Sequence, residues 1–160
     1  MKAVLRSGFL ALAITAVAVP ADGGEFEDGV AAYKAGEYGI ALDFWRPLAK
    51  QGHVWAQFNL GIMFESGHGV YENHPEAANW YRKAAEQGYA KAQLKLGIFY
   101  ALGQGVLEDI VSALMWIDVA ASQGSLEAQE ARELLVKLMT PDQIAEAQRM
   151  AREWLERHRR

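Results

Sequence analysis

The chain has 160 residues and a formal net charge of −4, with 51% hydrophobic residues against 22% charged. That length suffices to bury one core without metals or cross-links, and the lack of any cysteine excludes a disulfide framework, thiolate catalysis and zinc–thiolate sites. An acidic balance also speaks against nucleic acid, whose recognition needs a basic stripe to displace counterions from phosphates.

Residues 1–21 carry the pattern of a secretory signal peptide: a basic start with Lys2 and Arg6, an apolar run from Phe9 to Val19, then the small-residue end Pro20-Ala21. The run has 11 residues, where a spanning helix needs about 20, so the expectation is cleavage and no stable membrane span afterwards. The expected cut lies before Asp22, with a second site before Val19. No cysteine follows the run, which makes a lipid-anchored leader chemically impossible. Cleavage removes two cations and no acid, taking the net charge from −4 to −6, and it implies a periplasmic or secreted bacterial protein.

Beyond the leader the chain repeats itself. Residues 41–52, 77–88 and 113–124 align at a constant shift of 36 in the columns Ala41/Ala77/Ala113, Phe44/Trp80/Trp116, Trp45/Tyr81/Ile117, Leu48/Ala84/Ala120, Ala49/Ala85/Ala121, Gln51/Gln87/Gln123 and Gly52/Gly88/Gly124. The apolar positions fall at i, i+3, i+4, i+7 and i+8, the stripe of a helix facing a core, and a glycine follows where such a helix ends. A helical period of this length predicts an all-α solenoid built from stacked helix pairs.

In chain order, a first helix is expected over residues 25–35 with Phe26, Val30 and Tyr33 on one face, and a second follows after 36–39, bent by the internal Pro47. The next pair is expected at 54–65 and 74–87, and the third at 90–102 and 109–123. Ala56/Ala92, Leu60/Leu96, Gly61/Gly97 and Phe64/Tyr100 recur in the leading helices, where the small residues let neighbouring helices approach closely. Asn73 and Asp109 are expected N-caps. After Gly124 the pattern decays, with Arg132 where Leu60 and Leu96 stood. Leu126, Leu134, Leu135 and Leu138 suggest one more amphipathic helix. Thr140-Pro141-Asp142-Gln143 then reads as a capping box opening a last helix, with Ile144, Ala147, Met150, Ala151 and Trp154 on its apolar face. The organisation expected is therefore a leader over 1–21, repeats over 22–124 (about 25–52, 53–88 and 89–124), and a C-terminal capping helix pair over 125–160 whose polar outer face keeps an open stack soluble. The basic tail from Gln148 onwards reads as cations favoured at a helix C-terminus.

Three stretches resemble the Sel-one-like repeat (SLR) family, a relative of the tetratricopeptide repeats: Ala56-Gln57-Phe58-Asn59-Leu60-Gly61-Ile62-Met63-Phe64, Gly67-His68-Gly69-Val70, and Trp80-Tyr81-Arg82-Lys83-Ala84-Ala85-Glu86-Gln87-Gly88. The copy that follows fits almost as well. The first pair has a shorter internal loop and looks like an ordinary tetratricopeptide repeat. The resemblance implies a right-handed superhelix of antiparallel helix pairs and a role as adaptor or scaffold in signalling or envelope assembly. Some secreted, cysteine-rich members are linked to penicillin binding and hydrolysis; their repeats are tied by disulfides that this chain cannot form, so that activity does not transfer.

Candidate chemistry is sparse. Gly67-His68-Gly69 and Gly103-Gln104-Gly105 superficially resemble phosphate-cradling loops, but each lacks the third glycine and neither follows a strand, so turn glycines account for both. His68, Glu72 and His74 share a loop without a spacing that fixes them on one face, and they are read as solvated loop residues rather than metal ligands. No serine lies in a nucleophile motif. Trp45, Trp80 and Trp116 fall in or beside core columns. Trp55, whose column holds Lys91, is expected to be exposed. These readings imply no catalytic residue, no metal and no cofactor, and a noncatalytic module that binds a protein or peptide. The alternatives weighed are a cell-wall-directed hydrolase and a purely structural envelope component. By likeness to tetratricopeptide stacks the binding strip is expected on the concave face of the leading helices, at Trp55, Asn59 and Ile62 in one repeat and Lys91, Lys95 and Ile98 in the next. Asn59 and Lys95 are equivalent positions, expected side by side.

Overall fold

A computed structural model of the protein describes residues 24–159, so the leader and both proposed cleavage sites lie outside the described residues. Among the described residues eight α-helices follow one another: α1 Glu25–Lys34, α2 Tyr38–Lys50, α3 Val54–Ser66, α4 His74–Glu86, α5 Ala90–Leu102, α6 Ile110–Ser122, α7 Leu126–Leu135 and, after a 3-10 turn at Val136–Leu138, α8 Pro141–Arg157. From α1 to α7 each helix packs on the next, which is the stacking of an α-solenoid.

Local chemistry explains the boundaries. Asn73 Oδ1 accepts from the Glu76 N–H at 3.0 Å, and Asp109 accepts from Val111 and Ser112 at 3.0 and 3.1 Å. Thr140 and Gln143 complete a reciprocal capping box, with bonds of 3.2 and 2.9 Å. These side chains satisfy N–H groups that the first helical turn leaves without partners. His53 and Ser125 cap α3 and α7 in the same way. Pro47, expected to bend α2, lies inside it with its ring exposed, and the helix continues to Lys50.

Within each pair a glycine of the leading helix meets a large residue of the trailing one. A Cβ on Gly61 would stand 2.4 Å from the Tyr81 ring, and one on Gly97 would stand 2.7 Å from Ile117. Gly29 does the same against Trp45, at 2.3 Å. Trp45, Tyr81 and Ile117 are one column at period 36, whereas Gly29 stands 32 residues before Gly61, because the short loop of the first pair shifts α1 by about one turn.

Between repeats two devices recur. Loop glycines lie against the start of the preceding trailing helix: a Cβ on Gly69 would touch Tyr38, and one on Gly105 would come within 2.3 Å of the His74 carbonyl. Gly105 also has φ +66°, so no other residue fits there on either count. A ladder of glutamines forms the second device. Buried Gln57 and Gln93 donate to Ala49 O and Ala85 O at 3.1 Å, and their own oxygens accept from Gln87 at 2.8 Å and Gln123 at 2.7 Å. Gln87 and Gln123 donate in addition to Gly52 O and Gly88 O at 3.0 Å. The buried amides are thus satisfied by the repeat itself.

The C-terminal helices depart from expectation. Of the four leucines assigned to an apolar face, only Leu135 is buried, while Leu126, Leu134 and Leu138 are 71%, 66% and 77% exposed. The reason is where α8 goes: it packs on α6, burying Ala147, Ala151 and Trp154, with the Trp154 ring edge-on to Trp116 at 5.7 Å. At the α7 position equivalent to Gly61 and Gly97 stands Glu133, which closes the close approach a pairing helix would need.

Candidate functional site

The three core tryptophans, Trp45, Trp80 and Trp116, are buried as their columns require, and Trp55 is 54% exposed. Trp55 belongs to an aromatic cluster at the first turn of α3. Phe26 of α1 stacks on His53 at 4.9 Å, and the Trp55 ring lies 5.8 Å from both. Phe26 is itself tied to α2, where its carbonyl accepts from Trp45 Nε1 at 3.2 Å.

Asn59 and Ile62, one and two turns further along α3, line a hollow of about 310 Å3 against α1, whose Phe26, Val30, Tyr33 and Lys34 form the other wall. The floor is apolar, with Lys34 and Asn59 as its polar members. Lys91, Lys95 and Ile98 line a second hollow of about 280 Å3 with Phe58, Leu94 and Glu127. The six residues singled out from the sequence therefore divide between one aromatic cluster and two hollows.

Lys95 is also committed. Its Nζ lies 2.9 and 3.0 Å from the two oxygens of Glu65, and the same carboxylate accepts from the Tyr81 hydroxyl. Burial, and then the Glu65 carboxylate, pushes the Tyr81 hydroxyl far above the ordinary tyrosine range, so it stays a donor. The network joins α3, α4 and α5 at one junction and turns Lys95 from a free cation into half of a partly buried pair. Lys91, by contrast, is exposed. A comparable pair, Arg132 with Asp118 at 2.8 Å, ties α7 to α6; burial raises the Asp118 carboxyl, and the guanidinium pulls it back.

The loop histidines separate. His68 Nδ1 lies 2.8 Å from the Tyr33 hydroxyl while its ring stacks flat on Tyr38 at 4.3 Å, so it joins the first two repeats. His74 pairs instead with Glu72 at 3.2 Å. Among the described residues no group of three His, Cys, Asp or Glu side chains is placed to hold a metal ion. Likewise among them, no helix is long and apolar enough to cross a membrane.

Sequence reasoning missed two members of the site, Lys34 and Glu65. Phe26, Val30 and Tyr33 were visible as a helix face, but Lys34 and the wall they build against α3 were not. Glu65 carried no signal, because its equivalent at position 101 is alanine and its partner lies 30 residues away.

The Sel1 repeat model matches residues 56–89 and 90–125. A protective antigen of uropathogenic Escherichia coli strains, displaying an SLR fold, superposes with a TM-score of 0.79 at 34% identity over 82% of this chain and 29% of that one. A Sel1 repeat protein from Oxalobacter formigenes does so with a TM-score of 0.68 at 33% identity, over 81% of this chain and 55% of that one. This chain thus spans under a third of the first neighbour and little over half of the second. No curated protein matches it. Two consecutive matched repeats, the recurrence at 36 residues and SLR-fold neighbours at a third identity make the chain a helical solenoid built on Sel1 repeats.

Proposed function

We propose that this protein is a noncatalytic adaptor of the bacterial periplasm that binds a protein or peptide on the concave face of its leading helices. The observation that carries the reading is the exposed Trp55 beside an apolar hollow that holds Asn59 and Lys34, with a second hollow lined by Phe58, Leu94 and Ile98 together with Lys91, Lys95 and Glu127. An apolar surface with a few convergent polar groups is the usual form of a ligand site. Trp55 and Ile62 take apolar side chains, Asn59 bonds the partner's backbone, and Lys91 meets its acidic groups, with Ile98 continuing the apolar floor. Lys95 shapes the second hollow through Glu65 rather than reaching for the ligand. The basic, apolar and small-residue order of the leader supports export.

The test is affinity capture from periplasmic extract, read by mass spectrometry, with wild type beside the variant Trp55→Ala, Asn59→Ala, Lys91→Glu. These side chains are exposed or half-buried, so circular dichroism and melting should be preserved while the captured partners are lost. Retention of the same partners would move the binding site off the concave face. N-terminal sequencing of the exported protein should read from Asp22 or from Val19, and full-length protein held in membranes would refute the periplasmic assignment.

A further inference from the structure

The two apolar side chains most open to solvent, and two others that recur in register, lie on one rim of the solenoid. Tyr71, 96% exposed, and Leu107, 90% exposed, hold the same position in successive loops, 36 residues apart. Leu102 and Leu138, 62% and 77% exposed, hold equivalent positions at the end of α5 and just beyond α7. All four lie where leading helices end and trailing helices begin, which is a single edge of the stack. An open hollow of about 700 Å3 runs beside Tyr71 along Phe64, Val70 and Asn73. Single exposed apolar residues are ordinary, but a row in repeat register is not.

The same rim is acidic. From the last residue of each leading helix to the third residue of the trailing helix after it, the chain places six carboxylates, among them Glu72, Glu108 and Asp109, against two lysines, Lys34 and Lys137. The helix macrodipole accounts for Asp109 and the other acids in caps and first turns. It does not account for Glu72 and Glu108, which precede the caps and sit next to Tyr71 and Leu107 in the same register.

We propose that this rim is a second docking surface, separate from the concave groove, for a cationic amphipathic protein segment. Its apolar side chains would lie on Tyr71 and Leu107, and its lysines or arginines would meet Glu72 and Glu108. A helix with apolar residues at i and i+7, which lie about 10.5 Å apart on one face, and cations between them presents both features that the rim would recognise. Like charges on the rim disfavour an acidic partner.

The probe is a fluorescent, helix-forming peptide of leucine and lysine, with a leucine/glutamate counterpart, titrated into the full chain and followed by anisotropy. The leucine/lysine peptide should bind saturably, and the acidic counterpart at least about tenfold more weakly. Tyr71→Ser with Leu107→Ser should weaken binding by about tenfold or more without changing the melting curve, since both side chains are solvent-exposed. Glu72→Gln with Glu108→Gln should weaken it severalfold and flatten its salt dependence, while Trp55→Ala should leave it unchanged, which separates this surface from the concave one. Equal binding of the two peptides, no saturable binding, or full retention by the Tyr71/Leu107 variant would overturn the proposal. Loss of binding in Trp55→Ala would return the peptide to the groove. Concentration-dependent self-association in sedimentation, abolished by Tyr71→Ser and Leu107→Ser, would overturn it in favour of a second copy of the chain.

Discussion

The two matched repeats and the C-terminal helices begin from similar sequence and end in different packing. α3 and α5 each offer a glycine to the trailing helix, a buried leucine at Leu60 or Leu96, and a buried glutamine in the ladder. α7 keeps Ala128 and Gln129 in register, but Arg132 takes the leucine position and Glu133 the glycine position. Arg132 then reaches back to Asp118, and α8 leaves α7 to lie on α6. Two substitutions in one helix turn therefore end the repeat. The lesson is that a helix pair here depends on a close approach at a single point, and a charged side chain at that point redirects the next helix.

If that comparison is right, Gly61→Val should have the largest effect, costing about 3 kcal/mol and lowering the melting temperature by roughly 10 °C, because the added branches meet the Tyr81 ring. Gly97→Val should behave similarly, whereas Glu133→Ala should melt within a degree or two of wild type. Calorimetry that found the glycine and glutamate positions equivalent would break the comparison.

Trp154→Ala tests the redirected helix. Removing the ring that packs on Trp116 should cost about 3 kcal/mol and raise hydrogen exchange in α8 and α6 while α1 to α3 keep their protection. Uniform loss of protection would mean that α8 is no separate cap.

Gln93→Leu sharpens the account of the ladder. It should cost about 2 kcal/mol, because Ala85 O loses its donor in a buried setting and the Gln123 amide loses one of its two acceptors. Gln129→Leu, one period further and exposed, should be close to neutral. Urea unfolding of the two variants side by side decides it.

The smallest effect is expected at a cap. Asp109→Ala should cost about 1 kcal/mol at neutral pH. The Ser112 hydroxyl, opposed by burial and helped by the Ser112 and Val111 N–H groups, holds the Asp109 carboxyl below its ordinary value of 3.8. Its folded-state value is thus depressed, so the contribution is fully present above that ordinary value and lost as pH falls through the lowered one. The gap between wild type and Asp109→Ala should therefore narrow below pH 3.8, and a gap that stayed constant in acid would remove the carboxylate as the cause.

The sequence by itself determined the helices, their order, their caps and their period, because these depend on residues within a few positions of one another. Apolar stripes at i, i+3 and i+4, Asn73, Asp109 and Thr140 as caps, and the glycines after each of the first six helices are all legible in that way. The exposure of Trp55 was legible too, through Lys91 in its column. Only the tertiary structure decided that Gly29 meets Trp45, since the shorter first loop moves it out of the 36-residue register. The same holds for Lys95, which finds Glu65 across two helices, and for the separate hollows that Asn59 and Lys91 line. It decided as well that α8 rests on α6 and leaves Leu134 and Leu138 in solvent. Such contacts follow from how each helix is rotated and set against its neighbours, and side-chain volume and charge at a few close-approach points control that rotation. No local pattern in the chain records it.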